Sequence, residues 1–133
     1  MTRTDARANA MKLIYAWELG GDNDKDARDE LLEIQPEESE KEYMEILAEG
    51  VKTHQQEVDG IIVRYAKGWT VDRLAKVDLS ILRVAVYEML YCKNVPASVV
   101  MNEAVELAHH YSDDKAPAFV NGILGSFLRQ ELA

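Results

Sequence analysis

The segment from Asp78 to Tyr91, which reads DLSILRVAVYEMLY, constrains the fold more than any other stretch of the chain. At 3.6 residues per turn, its apolar side chains cover more than half of the helix circumference, which predicts a helix buried by its neighbours. The apolar side consists of Leu79, Leu82, Ala85, Val86, Met89 and Leu90, with Ile81 at its edge. Asp78 is expected to be the N-cap.

A narrower stripe of mixed chemistry on the same helix is expected to stay exposed. It consists of Ser80, Arg83, Val84, Tyr87 and Tyr91, with Glu88 beside it. Such a stripe on a rigid core helix is either a partner surface or merely a solvated edge, and spacing alone leaves both interpretations open.

The chain has 133 residues, of which 47% are hydrophobic, and this suits one domain with a single core. No apolar run approaches the roughly 18 residues that a membrane span needs, and no signal peptide pattern is present, so a cytoplasmic location is expected. The single cysteine, Cys92, excludes an internal disulfide framework and a thiolate cluster for zinc. No cofactor is expected.

The acidity of the chain is local. The formal net charge is −9, but residues 20 to 60 hold 14 Asp and Glu against four Lys and Arg, so the rest carries a net +1. An anionic ligand can therefore still approach the first helix or the central part of the chain, in a salt-dependent manner.

Helical periodicity recurs along the whole chain, and no segment shows sustained alternation of period two, so the prediction is an all-α fold of about seven helices. The first helix is expected over Arg3 to Leu19 and a short one around Ala27 to Leu32. After Pro36, a helix is expected to bury several residues, Ile46 among them. In the last helix, Asn121 is favoured as a buried hydrogen-bonding group because its neighbours are apolar. Asn102 is expected to face outward.

A search for catalytic chemistry finds little. His109 and His110 are adjacent, so they project about 100° apart on a helix and cannot ligate one metal together. The sequence contains no glycine-rich phosphate loop and no nucleophile elbow. We therefore do not expect an enzyme.

Four blocks of sequence carry a specific resemblance to a known family. They are WTVDRLAKVDLSILRVAVYEM from Trp69, Val95-Pro96, MNEAVELA from Met101, and FVNGIL from Phe119. In order and spacing they resemble the bacterial NusB transcription antitermination family, and Arg7, Ala10 and Ile14 extend the match to the first helix.

The resemblance implies one domain over residues 1–133, with two packed helical subdomains and no enzymatic activity. It implies binding to the boxA RNA of ribosomal RNA operons together with NusE, a small-subunit ribosomal protein. The same resemblance implies assembly with other Nus factors on RNA polymerase.

Carried over by position, the resemblance implies two sets of site residues. The expected RNA-binding residues are Arg3, Arg7, Tyr15, Tyr65, Lys115 and Phe119, and the expected partner-binding residues are Asp78, Arg83 and Tyr87. Arg3 and Arg7 lie one turn apart, so both guanidinium groups are predicted to face adjacent phosphates. Tyr15, Tyr65 and Phe119 could each pack in the protein core instead of contacting RNA. Arg83 could simply pair with Glu88 or Glu103.

One departure from the family pattern matters. Family members usually carry a denser arginine cluster at the start, whereas Thr4 and Asp5 interrupt it here. Fewer positive charges should weaken phosphate attraction, so the hypothesis is weak RNA binding alone and useful affinity only with NusE.

Three other interpretations stay open. They are a homodimer that hides the RNA surface, a protein-only adaptor that has lost RNA binding, and an RNA-binding domain serving an RNA methyltransferase. The last would need a fused catalytic domain, for which a chain ending at Ala133 is expected to leave no room.

Overall fold

The computed structural model describes residues 2–20 and 40–132, which form six α-helices and no strand. They are α1 (Arg3–Glu18), α2 (Lys41–Thr53), α3 (Gln55–Tyr65), α4 (Lys76–Tyr91), α5 (Ala97–Tyr111) and α6 (Ala116–Phe127). A 3₁₀ turn, Val71–Arg73, precedes α4, and a π-helical turn, Leu128–Leu132, continues α6. The all-α prediction is confirmed, while the predicted helix around Ala27 to Leu32 lies outside the described residues.

Helix α4 lies at the centre of the fold and packs against all five of the other helices. Eleven of its 16 residues are buried, which confirms the prediction of a core helix. The prediction of an exposed stripe is wrong, because Ser80, Arg83, Val84 and Glu88 are at most 3% exposed. Within the stripe, only Tyr91 is exposed and Tyr87 is half-buried, because all five of the other helices pack against α4.

The N-terminus of α4 also differs from the prediction. The helix begins at Lys76 with Ala75 as N-cap, so Asp78 lies in the first turn rather than at the cap. Its carboxylate accepts a hydrogen bond from the Ser112 hydroxyl at 2.5 Å, which ties the start of α4 to the end of α5. A carboxylate in the first turn is still favourably placed relative to the helix dipole.

Helices α1 and α2 run parallel. At one end the Arg3 side chain bonds Glu40, and at the other the Lys52 ammonium lies 5.0 Å from the centre of the Trp17 ring. Helix α1 starts with a capping box, in which the Thr2 hydroxyl accepts from the Asp5 amide and the Asp5 carboxylate accepts from the Thr2 amide. Asp5 therefore has a structural role at the position where it interrupts the arginine cluster.

Helix α2 crosses α4 at Gly50. A Cβ atom built on Gly50 would lie 2.0 Å from Cζ of Tyr87, so the crossing depends on the missing side chain. The neighbouring prediction that Ile46 is buried is wrong, since Ile46 is 45% exposed beside this crossing.

The start of α6 is set by Asp113, whose carboxylate accepts hydrogen bonds from the amides of Lys115 and Ala116, both at 3.0 Å. This local cap fixes the positions of Lys115 and, one turn later, Phe119. Asn121 is exposed, so the preference for a buried hydrogen-bonding role at this position is wrong. Asn102 is exposed, as predicted.

Candidate nucleic-acid and protein surfaces

Arg3 lies at the surface near the start of α1, with 40% of its side chain exposed. Its Nε donates to the Glu40 carboxylate at 2.8 Å, and its guanidinium carbon lies 3.7 Å from the centre of the Tyr43 ring. The guanidinium is thus held between a carboxylate and an aromatic face, with part of it still accessible to a ligand.

Arg7 is buried, with 4% of the residue exposed. Its Nε and Nη2 donate to the Glu88 carboxylate at 2.8 and 2.7 Å, and its Nη1 donates to Glu103 at 3.0 Å. Burial by itself would lower the Arg7 pKa, but the hydrogen bonds and charge of Glu88 outweigh it and raise the pKa. The prediction that Arg7 faces phosphates beside Arg3 is wrong, because its guanidinium is already bound inside the protein.

Glu88 is the centre of this buried network and is fully inaccessible to solvent. Besides Arg7, it accepts a hydrogen bond from the Tyr43 hydroxyl at 2.5 Å. Burial and this hydrogen bond both raise the Tyr43 pKa well above its ordinary value. With Glu103 included, the network connects α1, α2, α4 and α5, so it positions the end of α1 that carries Arg3.

A second buried arginine, Arg83, is 3% exposed. Its Nε and Nη2 donate to the Asp59 carboxylate, both at 2.8 Å, and its Nη1 donates to Glu18 at 2.8 Å. The alternative that Arg83 forms an ion pair within the protein is therefore correct, but the expected partners are not. The partners are different from Glu88 and Glu103, because those two carboxylates are bound by Arg7.

The three predicted partner residues do not form one surface. Asp78 and Tyr87 are nine residues apart on α4, which places them about half a turn from each other around the axis and about 13 Å apart along it. Arg83, between them, is buried. Any contact through Asp78 and any contact through Tyr87 would therefore involve different faces of the molecule.

Asp78 instead lines a groove of about 490 Å³ between the 3₁₀ turn and the start of α6, which we call the aromatic groove. The groove brings Asp78 together with two predicted RNA-binding residues, Lys115 and Phe119. The other lining residues are Trp69, Arg73, Leu74, Ala75, Asp113 and Ala116. Sequence reasoning missed Trp69 and Arg73, although a tryptophan and an arginine in a short polar connector are a signal for an exposed binding surface.

A second groove of about 410 Å³ continues from the first and shares its Trp69 and Phe119 walls. The two rings meet edge to face, with centroids 6.5 Å apart, and Trp69 is 49% exposed. Tyr65 also lines this second groove, where its hydroxyl donates to Glu131 at 2.5 Å. Three of the six predicted RNA-binding residues thus lie along one continuous surface.

Exposed cations border the two grooves at four positions, namely Lys67, Arg73, Lys115 and Arg129. Aromatic faces flanked by cations suit unpaired nucleotides, because bases stack on rings while phosphates pair with ammonium and guanidinium groups. Tyr15 is half-buried on α1 and, like Arg3, is absent from the linings of both grooves within the part of the chain that the structure describes.

The Asp78 carboxyl carries a raised pKa, chiefly because it is buried at the base of the aromatic groove. The hydrogen bond from Ser112 acts in the opposite direction, and the nearby charge of Asp113 adds to the increase. Across residues 2–20 and 40–132, no cluster of three or more His, Cys, Asp or Glu could hold a metal ion. None of the helices in these ranges is long and apolar enough to cross a membrane.

The chain is similar in sequence to known proteins. Residues 4–129 match the model of the NusB family. The transcription antitermination protein NusB of Acetivibrio thermocellus is 42% identical over 133 residues, covering 99% of this chain and 92% of the relative. That of Listeria monocytogenes serotype 4a is 38% identical over 131 residues, covering 98% and 99%.

Two solved structures extend the match to the fold. NusB of T. maritima superimposes with a TM-score of 0.88 at 30% identity, covering 100% of this chain and 94% of that one. A crystal structure of the antitermination factors NusB and NusE in complex with dsRNA matches with a TM-score of 0.83 at 31% identity and 96% coverage of both chains.

Proposed function

The chain belongs to the NusB family, and from that membership we propose that it is a transcription antitermination factor that binds RNA and protein and catalyses no reaction. The match over nearly the full length to NusB, including the NusB chain of a complex with NusE and dsRNA, carries this proposal. Its proposed targets are the boxA RNA of ribosomal RNA operons and NusE. Other Nus factors and RNA polymerase would join later, in the cytoplasm.

The proposed RNA path runs along the aromatic groove and its continuation. Trp69 and Phe119 offer ring faces and edges to unpaired bases, and Tyr65 extends the row. Lys115 and Arg73 lie where they would bind phosphates. Arg3 would contribute a further phosphate contact, and Tyr15 a further aromatic one, from α1.

The two buried arginines have positioning roles in this proposal. Arg7 holds the start of α1 against α4 and α5, which sets where Arg3 lies. Arg83 holds α1 and α3 against α4. Asp78 would face NusE or RNA from the groove, and Tyr87 would reach a partner only from the opposite side of α4.

Tight binding of RNA would depend on NusE. Aromatic stacking and a few phosphate contacts on each protein give weak binding separately, whereas two proteins sharing one RNA reach a higher combined affinity. The first turn of α1 supports weak binding alone, because Asp5 serves the helix cap there and contributes negative charge beside Arg3.

The test is fluorescence anisotropy of a labelled boxA RNA, titrated with this protein, with NusE, and with both, at two salt concentrations. We expect tight binding only in the mixture and a loss of affinity as salt rises. Equal affinity with and without NusE would refute the dependence on the partner. No binding in any mixture would refute the RNA-binding role, and a light-scattering mass would then distinguish a groove-hiding homodimer from a monomeric adaptor.

Matched lysine variants locate the RNA surface. Lys115→Ala removes an exposed cation from the aromatic groove, whereas Lys93→Ala removes an exposed cation beyond the end of α4. We expect Lys115→Ala to weaken the mixture's RNA binding severalfold and to reduce the salt slope by about one. Equal effects of the two variants would refute the assignment of the groove.

A further inference from the structure

Three rings stack on the side of α4 that faces α2 and α3. The His54 and Tyr91 rings have centroids 4.5 Å apart and planes inclined by 29°. Tyr87 stacks on Tyr91 in turn, at 5.0 Å and 30°. Gly50 makes the arrangement possible, since a side chain there would overlap the Tyr87 ring. Three stacked rings at a helix junction form a rigid aromatic surface.

This surface is open to solvent and extends onto α2. Tyr91 is 44% exposed, and the His54 side chain is 38% exposed. Ile46, which is 45% exposed, lies one turn before Gly50 on the side of α2 that reaches Tyr87. We call Ile46, His54, Glu57, Tyr87 and Tyr91 the α2–α4 face.

The α2–α4 face is remote from the two grooves of the proposed RNA path. Tyr91 ends α4, whereas Asp78 in the aromatic groove lies near the start of the helix. Thirteen residues of helix separate the two positions by about 20 Å. A ligand on the α2–α4 face would therefore leave the grooves accessible, and the two sites could be occupied together.

Carboxylates outnumber cations around the α2–α4 face, although Lys93 is exposed two residues after Tyr91. The Tyr91 hydroxyl donates to the Glu57 carboxylate at 2.5 Å, and the Glu57 side chain is 50% exposed. Glu42 and Glu49 are exposed on the outer side of α2, near Ile46. Lys52 is also on α2, but its ammonium lies over the Trp17 ring. These carboxylates repel phosphates and attract cations, so the face suits a basic ligand rather than RNA.

The molecule already binds a guanidinium by the same chemistry at the other end of α2. Arg3 lies 3.7 Å over the Tyr43 ring while its Nε bonds Glu40 at 2.8 Å. Tyr91 and Glu57 offer the same pair of groups, an aromatic ring beside a carboxylate, with His54 stacked on the ring and no lysine or arginine over it among the described residues. A planar guanidinium fits this pair better than a lysine ammonium, because it can stack and donate in a fork at once.

We propose that the α2–α4 face is a second docking surface, which binds an arginine-bearing segment of a basic protein. One arginine stacks on Tyr91 and pairs with Glu57, and an apolar residue of the same segment contacts Ile46. The protein then holds RNA in the grooves near the start of α4 and a basic protein segment near the end of this helix. This interaction does not depend on RNA binding, so it can fail or succeed independently of the proposed function.

The test is a titration of the full ¹⁵N-labelled chain, followed by NMR, with a short capped peptide of alternating glycine and arginine. The matched probe replaces each arginine by lysine. We expect amide shifts centred on His54, Glu57 and Tyr91, and tighter binding of the arginine peptide. Tyr91→Ala and Glu57→Gln should each weaken it about two- to fivefold, the effect of one exposed cation–π contact or ion pair.

Glu106→Gln is the matched control, since it removes an exposed carboxylate from α5 and should leave the binding of the arginine peptide unchanged. Circular dichroism of each variant verifies folding. Three results would overturn the proposal: equal binding of the two peptides, the same loss of affinity in Glu106→Gln as in Glu57→Gln, or stronger shifts at these residues with an unstructured oligouridine RNA than with the arginine peptide.

Discussion

Replacing Arg7 by methionine should destabilise the fold strongly, since Glu88 is fully buried and depends on this partner. Arg7 supplies two of the hydrogen-bond donors that hold the Glu88 carboxylate, at 2.8 and 2.7 Å, and the Tyr43 hydroxyl supplies another at 2.5 Å. The variant leaves a buried carboxylate with Tyr43 as its remaining hydrogen-bond donor among the contacts described. Breaking a buried ion pair by removing one partner costs about 3–5 kcal/mol.

This cost is a large share of the free energy of unfolding, which is only about 5–15 kcal/mol for domains of this kind. For a chain of this length the loss corresponds to a decrease in Tm of roughly 10–20 °C. We expect the double variant Arg7→Met/Glu88→Met to recover most of the stability, since two apolar side chains can replace a buried pair at little net cost. The coupling energy between the two positions should therefore reach about 3 kcal/mol.

Urea unfolding monitored by far-UV circular dichroism measures the parent, Arg7→Met, Glu88→Met and the double variant, which together give the coupling energy. Glu103→Gln is the control, because the Glu103 side chain is 23% exposed and makes one of the contacts to Arg7, at 3.0 Å. It should lose less than about 1 kcal/mol. An Arg7→Met loss below about 1 kcal/mol, or a double variant no more stable than Arg7→Met, would refute the reasoning about the buried charge.

Two further predictions concern single positions. Gly50→Ala should destabilise by about 1–3 kcal/mol, because the new Cβ overlaps the Tyr87 ring. A Cβ atom built on Gly60 would have nothing within 4 Å, so Gly60→Ala should instead stabilise the protein by roughly 0.5–1 kcal/mol. Tm changes of the same sign and similar size in the two variants would contradict this prediction. Between its ordinary pKa of 3.8 and its raised pKa, the Asp78 carboxyl is protonated more in the folded protein than in the unfolded chain. Its contribution to the free energy of unfolding therefore falls as the pH rises through this range. Asp78→Asn lacks this loss, so in urea unfolding it should gain stability relative to the parent as the pH rises above 3.8, and a pH-independent difference would contradict the raised pKa.

The secondary structure and the identity of the core helix were predictable from the sequence. Apolar residues at helical spacing placed α4 and its neighbours, because periodicity reports which side of a helix leaves water. The capping chemistry was predictable less precisely. The cap of α4 was assigned wrongly to Asp78, since an aspartate is equally compatible with the first turn.

The roles of the charged residues were not predictable in the same way. Arg3 and Arg7 lie one turn apart and look equivalent in sequence, yet one is exposed and the other is bound to Glu88, 81 residues away. Arg83 likewise finds its partners on α1 and α3. From sequence alone, an arginine on a helix is expected to be exposed, because charged side chains are rarely buried without a partner. The partner carboxylate can lie far away in the sequence, so local patterns do not reveal the ion pair.

The candidate site shows the same division. The sequence by itself determined the helices, the family and the residue types suited to RNA, because these follow from local periodicity and from matching motifs. Only the tertiary structure decided that Lys115 and Phe119 share a groove with Trp69 and Asp78, and that Tyr87 faces the opposite side. A helix distributes its side chains around an axis, and which of them become a surface depends on where the neighbouring helices leave α4 uncovered.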